Sequence, residues 1–240
     1  MMTPASQRPA VAISGLEGGY GGSPVLHDVS LDIEVGEIFA ILGKNGMGKT
    51  TLLKTVMGLL PARTGRVEFL GHDVSGWPAY RITRLGVSYV PQEKSIFQDL
   101  SVEENLRLAI RNVSTFAERL EMVAESFPIL KSRRRQRAGT LSGGEQKMLL
   151  IGRALLTRPR LIVVDEISEG LQPAMVTRLQ EVLAHERRAH GVTVMLVEQN
   201  VGFALAVSDR YAVLKTGTVV ESGRAGSIGA RERVEQHLVL

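Results

Sequence analysis

Apolar and polar positions change their period several times along the chain. In VLHDVSLDIEVGE, residues 25–37, apolar positions alternate with polar ones and stop near Gly36, which predicts a β-hairpin region. EIFAIL, residues 37–42, is continuously apolar and predicts a buried strand. A glycine-rich stretch follows at once, then KTTLLKTVMGLL, residues 49–60, with helical spacing. SVEENLRLAI (101–110) and FAERLEMVAESF (116–127) also have helical spacing, and Ser101 with Glu104 forms a capping-box pattern. Further on, LIVVDE (161–166) and VTVMLV (192–197) predict strands on either side of a helix at 173–190. YAVL and TVVE, joined by KTG, predict a closing hairpin, and the tail from 229 predicts a short helix.

Three buried strands separated by helices predict a mainly parallel sheet covered on both faces. The N-terminal third reads as short strands and turns, and residues 93–158 as a helical subdomain inserted into an α/β core. No internal repeat is visible.

Composition narrows the class. With 240 residues, 44% hydrophobic and 22% charged, the chain is long enough for a sizeable core without disulfides or metal staples. Lys and Arg total 29 against 25 Asp and Glu, a formal +4, which is too mild to argue for a nucleic-acid partner. The absence of cysteine excludes thiol chemistry and Cys-based zinc sites, and the five histidines lack metal-ligand spacing. No apolar run approaches the ~20 residues of a membrane helix, so work at a membrane would go through a partner. The first ten residues, MMTPASQRPA, lack the apolar centre of a signal peptide. RRRQR (133–137) reads as a solvated loop, and Trp77, Met57 and Met148 as packing residues.

Three segments carry chemistry. Gly43-Lys44-Asn45-Gly46-Met47-Gly48-Lys49-Thr50 fits G-x-x-x-x-G-K-[ST] between a strand and a helix. Its glycines let successive N–H groups curl around one anion, and the helix start adds its positive end. Lys49 brings a cation to the β/γ-phosphates, and Thr50 a hydroxyl to Mg²⁺. Asp165 and Glu166 end an apolar strand, where Asp165 suits Mg²⁺ and Glu166 suits a base acting on water. In Leu141-Ser142-Gly143-Gly144-Glu145-Gln146, Ser142 and Glu145 form a capping box around two glycines, a capped helix start that is also an anion site.

GKNGMGKT, LSGGEQ and LIVVDE, in this order and spacing, resemble the nucleotide-binding subunit of an ATP-binding cassette (ABC) transporter, over residues 11–225. The resemblance implies an α/β P-loop NTPase core with a mainly parallel sheet, an N-terminal antiparallel β subdomain and the inserted helical subdomain. It implies one ATPase domain over 11–227, with a tail at 1–10 and a C-terminal helix or tail at 228–240. ATP and Mg²⁺ are its cofactors. ATP would rest on Tyr20, Gly43, Lys44, Asn45, Gly46, Met47, Gly48, Lys49, Thr50, Thr51 and Gln92, with Tyr20 stacking on adenine. Thr50, Gln92 and Asp165 would serve Mg²⁺, while Glu166, Lys49 and Gln199 would serve catalysis. In a head-to-tail pair with itself or a paralogous ATPase subunit, Ser142, Gly143, Gly144 and Glu145 of one chain would close on the other's nucleotide. Transmembrane permease subunits are the further partners, docked near Gln92 to Leu100, and a substrate-binding protein acts indirectly. The implied location is peripheral, on the cytoplasmic face of the plasma membrane.

Departures from the family pattern point to a branch. Gln199 stands where a switch histidine is usual, and it cannot titrate. In SEGLQP (168–173), Gln172 stands where Asp is usual, and Ile167 precedes the segment where Pro is usual. VEQN, SEGLQP, VPQEKSIFQDLSVEENL and GLLPARTGRV together are similar to the second ATPase subunit of importers for branched-chain amino acids, urea and short amides. PQEKSIF is also similar to the ATPase of lipopolysaccharide export, which keeps the histidine. Superfamily ATPases of DNA repair or chromosome structure need long coiled-coil insertions, and translation ATPases usually carry two cassettes. A small-molecule kinase using only the P-loop would leave LSGGEQ idle.

Overall fold

The computed structural model describes residues 8–92, 96–110 and 112–238. Residues 1–7 of the expected tail, 93–95 of the expected docking segment, 111, and 239–240 lie outside these.

The chain opens with an antiparallel pair, β1 (Val11–Tyr20) and β2 (Ser23–Ile33), turned at Gly21, whose φ is 54°. The alternation at 25–37 is therefore one strand, not a hairpin. Its partner lies upstream, because the two-glycine turn precedes it and alternation alone does not say where a strand finds its mate. Next come β3 (Ile38–Leu42) and α1 (Lys49–Val56). The helix stops short of residue 60 because Gly58 adopts φ 66°, where an added Cβ would sit 2.1 Å from the Trp77 carbonyl. β4 (Ala62–Phe69), β5 (His72–Asp73), α2 (Ala79–Ile82) and β6 (Val87–Val90) follow.

The inserted helices are α3 (Val102–Arg107), α4 (Phe116–Ser126), α5 (Pro128–Ser132) and α6 (Gly143–Leu156). Both capping boxes form: Glu104 N donates to Ser101 Oγ at 3.2 Å, and Glu145 N to Ser142 Oγ at 3.4 Å. β7 (Leu161–Asp165), α7 (Pro173–His190) and β8 (Thr193–Glu198) complete the α/β alternation. α7 spans the expected residues, with Pro173 at its start and Gly191 in the left-handed region (φ 65°) at its end. α8 (Val201–Val207), the hairpin β9 (Arg210–Lys215) and β10 (Thr218–Arg224), and α9 (Ala230–Leu238) close the chain.

Two sheets result. One is antiparallel, in the order β2-β1-β4-β5; the other runs β10-β9-β3-β8-β7-β6 and is parallel except for its edge strand β10. Period-two burial sorts the central strands onto two faces. Ile38, Ile162, Val164, Val194 and Leu196 pack with the helices α3–α8. Phe39, Ile41, Val163, Met195 and Val197 pack with α1 and the antiparallel sheet. The cover on that face is thus a second sheet plus α1, with Ile82 of the short α2. The carboxyl ends of β3, β7 and β8, adjacent and in register through Leu42–Glu198 and Asp165–Val197, reach one edge and set the site there.

The helical subdomain packs most closely at Gly152 of α6, where an added Cβ would meet Leu130 Cδ1 at 2.7 Å and Val123 Cγ1 at 3.1 Å. Gly152→Val is expected to destabilise the fold by about 1–3 kcal/mol through overpacking, read as a lower midpoint in urea denaturation.

Candidate functional site

The loop from Gly43 to Thr50 joins β3 to α1 at the edge of the parallel sheet. Its conformation demands glycine. A Cβ at Gly43 would lie 2.6 Å from the Leu214 carbonyl, and Gly48 caps α1 at φ 99°. Met47 O accepts from Gly217 N at 3.0 Å, tying the loop to the β9–β10 turn. Lys49 then points back under the loop and donates to Lys44 O at 2.9 Å.

Lys49 Nζ also lies 2.8 Å from Glu166 Oε1, and the two side chains are 3% and 5% exposed. This is a buried ion pair at the centre of the site. Glu166 holds a left-handed backbone, φ 45°, rare for a residue with a side chain; its N–H donates to Val197 O at 2.9 Å. Strain of this kind persists where the surroundings over-determine it, and here it aims a carboxylate at the loop lysine. Gln92 Nε2 donates to Glu166 Oε2 and to Glu169 Oε2, both at 2.9 Å.

Asp165 sits beside this pair. Thr50 Oγ1 donates to its Oδ1 and the Tyr89 hydroxyl to its Oδ2, both at 3.4 Å. Burial, then the charge of Glu166, pushes its pKa up to about 6, against the pull of Thr50, Lys49 and Tyr89. Burial and the Asp165 charge also raise the pKa of Tyr89, which keeps it a donor.

A cleft of about 450 Å³ opens over these groups, lined by Tyr20, Val25, Asn45, Gly46, Gly48, Lys49, Thr50, Thr51, Gln92 and Glu166. Tyr20, 49% exposed at the end of β1, stands at its rim. Gly43, Lys44 and Met47 shape the loop without lining the cleft. Gln92 turns its amide nitrogen to the two glutamates in this structure rather than its oxygen to Asp165. Gln199 is exposed just beyond β8. Ser142, Gly143, Gly144 and Glu145 begin α6 and do not line this cleft.

Several neighbours were not legible beforehand. Ser168 donates its N–H to Glu198 Oε1 at 2.9 Å and its hydroxyl to Oε2 at 2.8 Å. Lys147 of α6 donates to the Glu169 carbonyl. Tyr89 follows from its place on β6 beside β7. Ser168 and Glu169 fall in the SEGLQP segment that the sequence singles out, but their partners leave no local signal, and Lys147 reads as an ordinary surface charge.

A family model described as ABC transporter matches residues 26–169. The chain belongs to the ABC transporter family. As a member it is an ATP-binding, ATP-hydrolysing subunit. This ATPase subunit is 43% identical, over 203 residues, to the high-affinity branched-chain amino acid transport ATP-binding protein BraG of Pseudomonas aeruginosa, covering 84% of this chain and 87% of that one. It is 34% identical, over 222 residues, to the lipopolysaccharide export system ATP-binding protein LptB of Escherichia coli, covering 90% and 91%. A solved ATP-binding cassette of an ABC transporter superposes with a TM-score of 0.88 at 25% identity, covering 98% of this subunit and all of that chain.

The raised pKa of Asp165 gives a signed expectation. Between its unfolded value near 4 and about 6, the folded state binds more protons, so this group's contribution to stability falls as pH rises through that window. Asp165→Asn is therefore expected to stabilise the nucleotide-free subunit at pH 7 by up to about 3 kcal/mol, with the gain vanishing toward pH 4. Urea denaturation of both proteins across that range checks it.

Proposed function

We propose that this subunit hydrolyses ATP to power an importer of branched-chain amino acids, urea or short amides, with residues 11–227 forming its single ATPase domain. The observation that carries the catalytic reading is the buried Lys49–Glu166 pair at the mouth of a glycine loop. The observation that favours the cargo class is the similarity to BraG, 43% against 34% for LptB. Lipopolysaccharide export is the second reading, disfavoured by Gln199 where that ATPase keeps a histidine.

Triphosphate entering the cleft meets the loop amides and the start of α1, and it gives Lys49 a new anionic partner. Lys49 leaves Glu166 for the phosphates. Glu166 is then free to orient water and take its proton, while Gln199 offers an amide N–H to a γ-phosphate oxygen. Tyr20 stacks on the base. Mg²⁺ fits beside Thr50 and Asp165, where burial makes a carboxylate short of positive charge, and it would neutralise charge on the phosphates.

The second phosphate-binding device is the α6 start. Its Ser142–Glu145 cap takes the N–H groups of those two residues, and the N–H groups of Gly143 and Gly144 at the open helix start are the donors it would offer an anion outside the chain's own cleft. A head-to-tail partner, identical or paralogous, supplies the nucleotide it closes upon. No described helix is long and apolar enough to cross a membrane. The similarity to transporter ATP-binding proteins supports a peripheral place on the cytoplasmic face, held by permease subunits. The groove beside the expected docking segment, about 870 Å³ and lined by Tyr89, Pro91, Ile110, Arg119 and Leu150 among others, suits such a partner. Arg119 Nε is buried there without an acceptor among the described residues. A substrate-binding protein delivering cargo to the permease completes the system.

Glu166→Gln is expected to slow ATP turnover at least ~10²-fold, as for loss of a positioned base. ATP affinity should hold or improve, because Lys49 loses its competing carboxylate. Light scattering of this variant should show an ATP-dependent dimer, and leucine, urea and acetamide uptake with the permease subunits tests the cargo. Near-normal turnover would refute the base assignment, and a monomer at saturating ATP the paired arrangement.

A further inference from the structure

Glu169 is exposed, yet it and its neighbour Ser168 are tied to three separate parts of the chain. Its carboxylate accepts from Gln92 Nε2 at 2.9 Å. Its carbonyl accepts from Lys147 of α6, and its neighbour Ser168 is held through both backbone and hydroxyl by buried Glu198. The main chain at 168–169 is thus fixed from two sides, and an otherwise free surface carboxylate is held at one place. An exposed glutamate gains little from one hydrogen bond to an amide, so local stability does not account for the arrangement.

The amide nitrogen of Gln92 carries two N–H bonds, and Glu166 and Glu169 each take one. Both donors being spent, the oxygen is the end of the amide left for a cation or a water. Without Glu169, one N–H is unassigned, and the amide gains freedom to rotate or to turn its oxygen toward Glu166, where two acceptors repel. We propose that Glu169 is a positioning residue for ATP hydrolysis, fixing the orientation of the Gln92 amide and through it the aim of Glu166. This rests on the reading of Glu166 as the base.

The test pairs kinetics with a spectrum of the nucleotide-free subunit. Truncation at exposed Glu169 opens no cavity, and the Lys147 contact uses the main chain, so Glu169→Ala keeps the fold. Glu169→Ala is expected to lower kcat about 10-fold, with KM for ATP within about two-fold. Glu169→Gln keeps an acceptor oxygen and should stay within about three-fold of the parent. In a ¹⁵N–¹H spectrum, the Gln92 side-chain pair, assigned by its loss in Gln92→Ala, should show one proton moving toward the free-amide position in Glu169→Ala. Unchanged kcat in Glu169→Ala, equal losses in the Ala and Gln variants, or a Gln92 pair indifferent to Glu169 would each overturn the proposal. Undiminished turnover in Glu166→Gln would instead remove the base reading and leave the spectral result standing.

Discussion

A lysine and a glutamate taken out of water together are the constraint on which the site depends. Moving either ion alone into the interior costs several kcal/mol, and the mutual attraction of Lys49 and Glu166 offsets this only at close range with further hydrogen bonds. Lys44 O and Gln92 Nε2 supply those bonds. The sheet edge, the loop glycines and the left-handed backbone of Glu166 all serve to bring these two charges within 2.8 Å. A buried pair of this kind is weak evidence for stability, and its sense is functional: the cation is committed to an anion at all times. In this structure that anion is the Glu166 carboxylate. In the proposed mechanism phosphate takes its place, and the substrate itself releases the base.

The rest of the chain distributes this local exchange. The carboxyl ends of β3, β7 and β8 carry the phosphate loop, the acid pair and the Glu198–Gln199 corner, so three neighbouring strands feel one ligand. Ser168 and Glu169 link that edge to the capped start of α6. In the proposed head-to-tail pair, the two nucleotide-facing parts of one chain are thus joined through hydrogen bonds rather than through a flexible linker.

Where a signal was local, the sequence carried it. The start of the helix at Lys49, the α7 boundaries and both capping boxes follow from residues within a few positions of one another, whereas the end expected at residue 60 falls at Val56. The phosphate loop was legible because glycine, lysine and threonine at fixed spacing have few other uses. The partner of β2 was not legible, because alternation reports a half-buried face and says nothing of pairing. β5 and α2, of two and four residues, are too short to show a period. The contacts of Glu169 and Lys147 escaped for a different reason: they exist only after residues 22 and 77 positions apart meet, as in Lys147–Glu169 and Gln92–Glu169.

The corner after β8 bears on where proton chemistry resides. Gln199 cannot accept and return a proton at neutral pH, so no relay runs through its side chain. Its neighbour Glu198 is ionisable, but it is 1% exposed, points into the Ser168 backbone and hydroxyl, and has its pKa raised by burial. That carboxylate fixes the start of the 168–173 segment. Asp165 lies between Thr50 and Tyr89 and is the carboxylate that the proposed mechanism gives to Mg²⁺. Among the carboxylates of the described residues, only Glu166 and Glu169 share the Gln92 amide, and of these only Glu166 lines the cleft and faces the loop lysine. With a residue at 199 that cannot titrate, the proposed mechanism assigns the proton to Glu166, and the aim of that carboxylate matters more than it would beside a histidine.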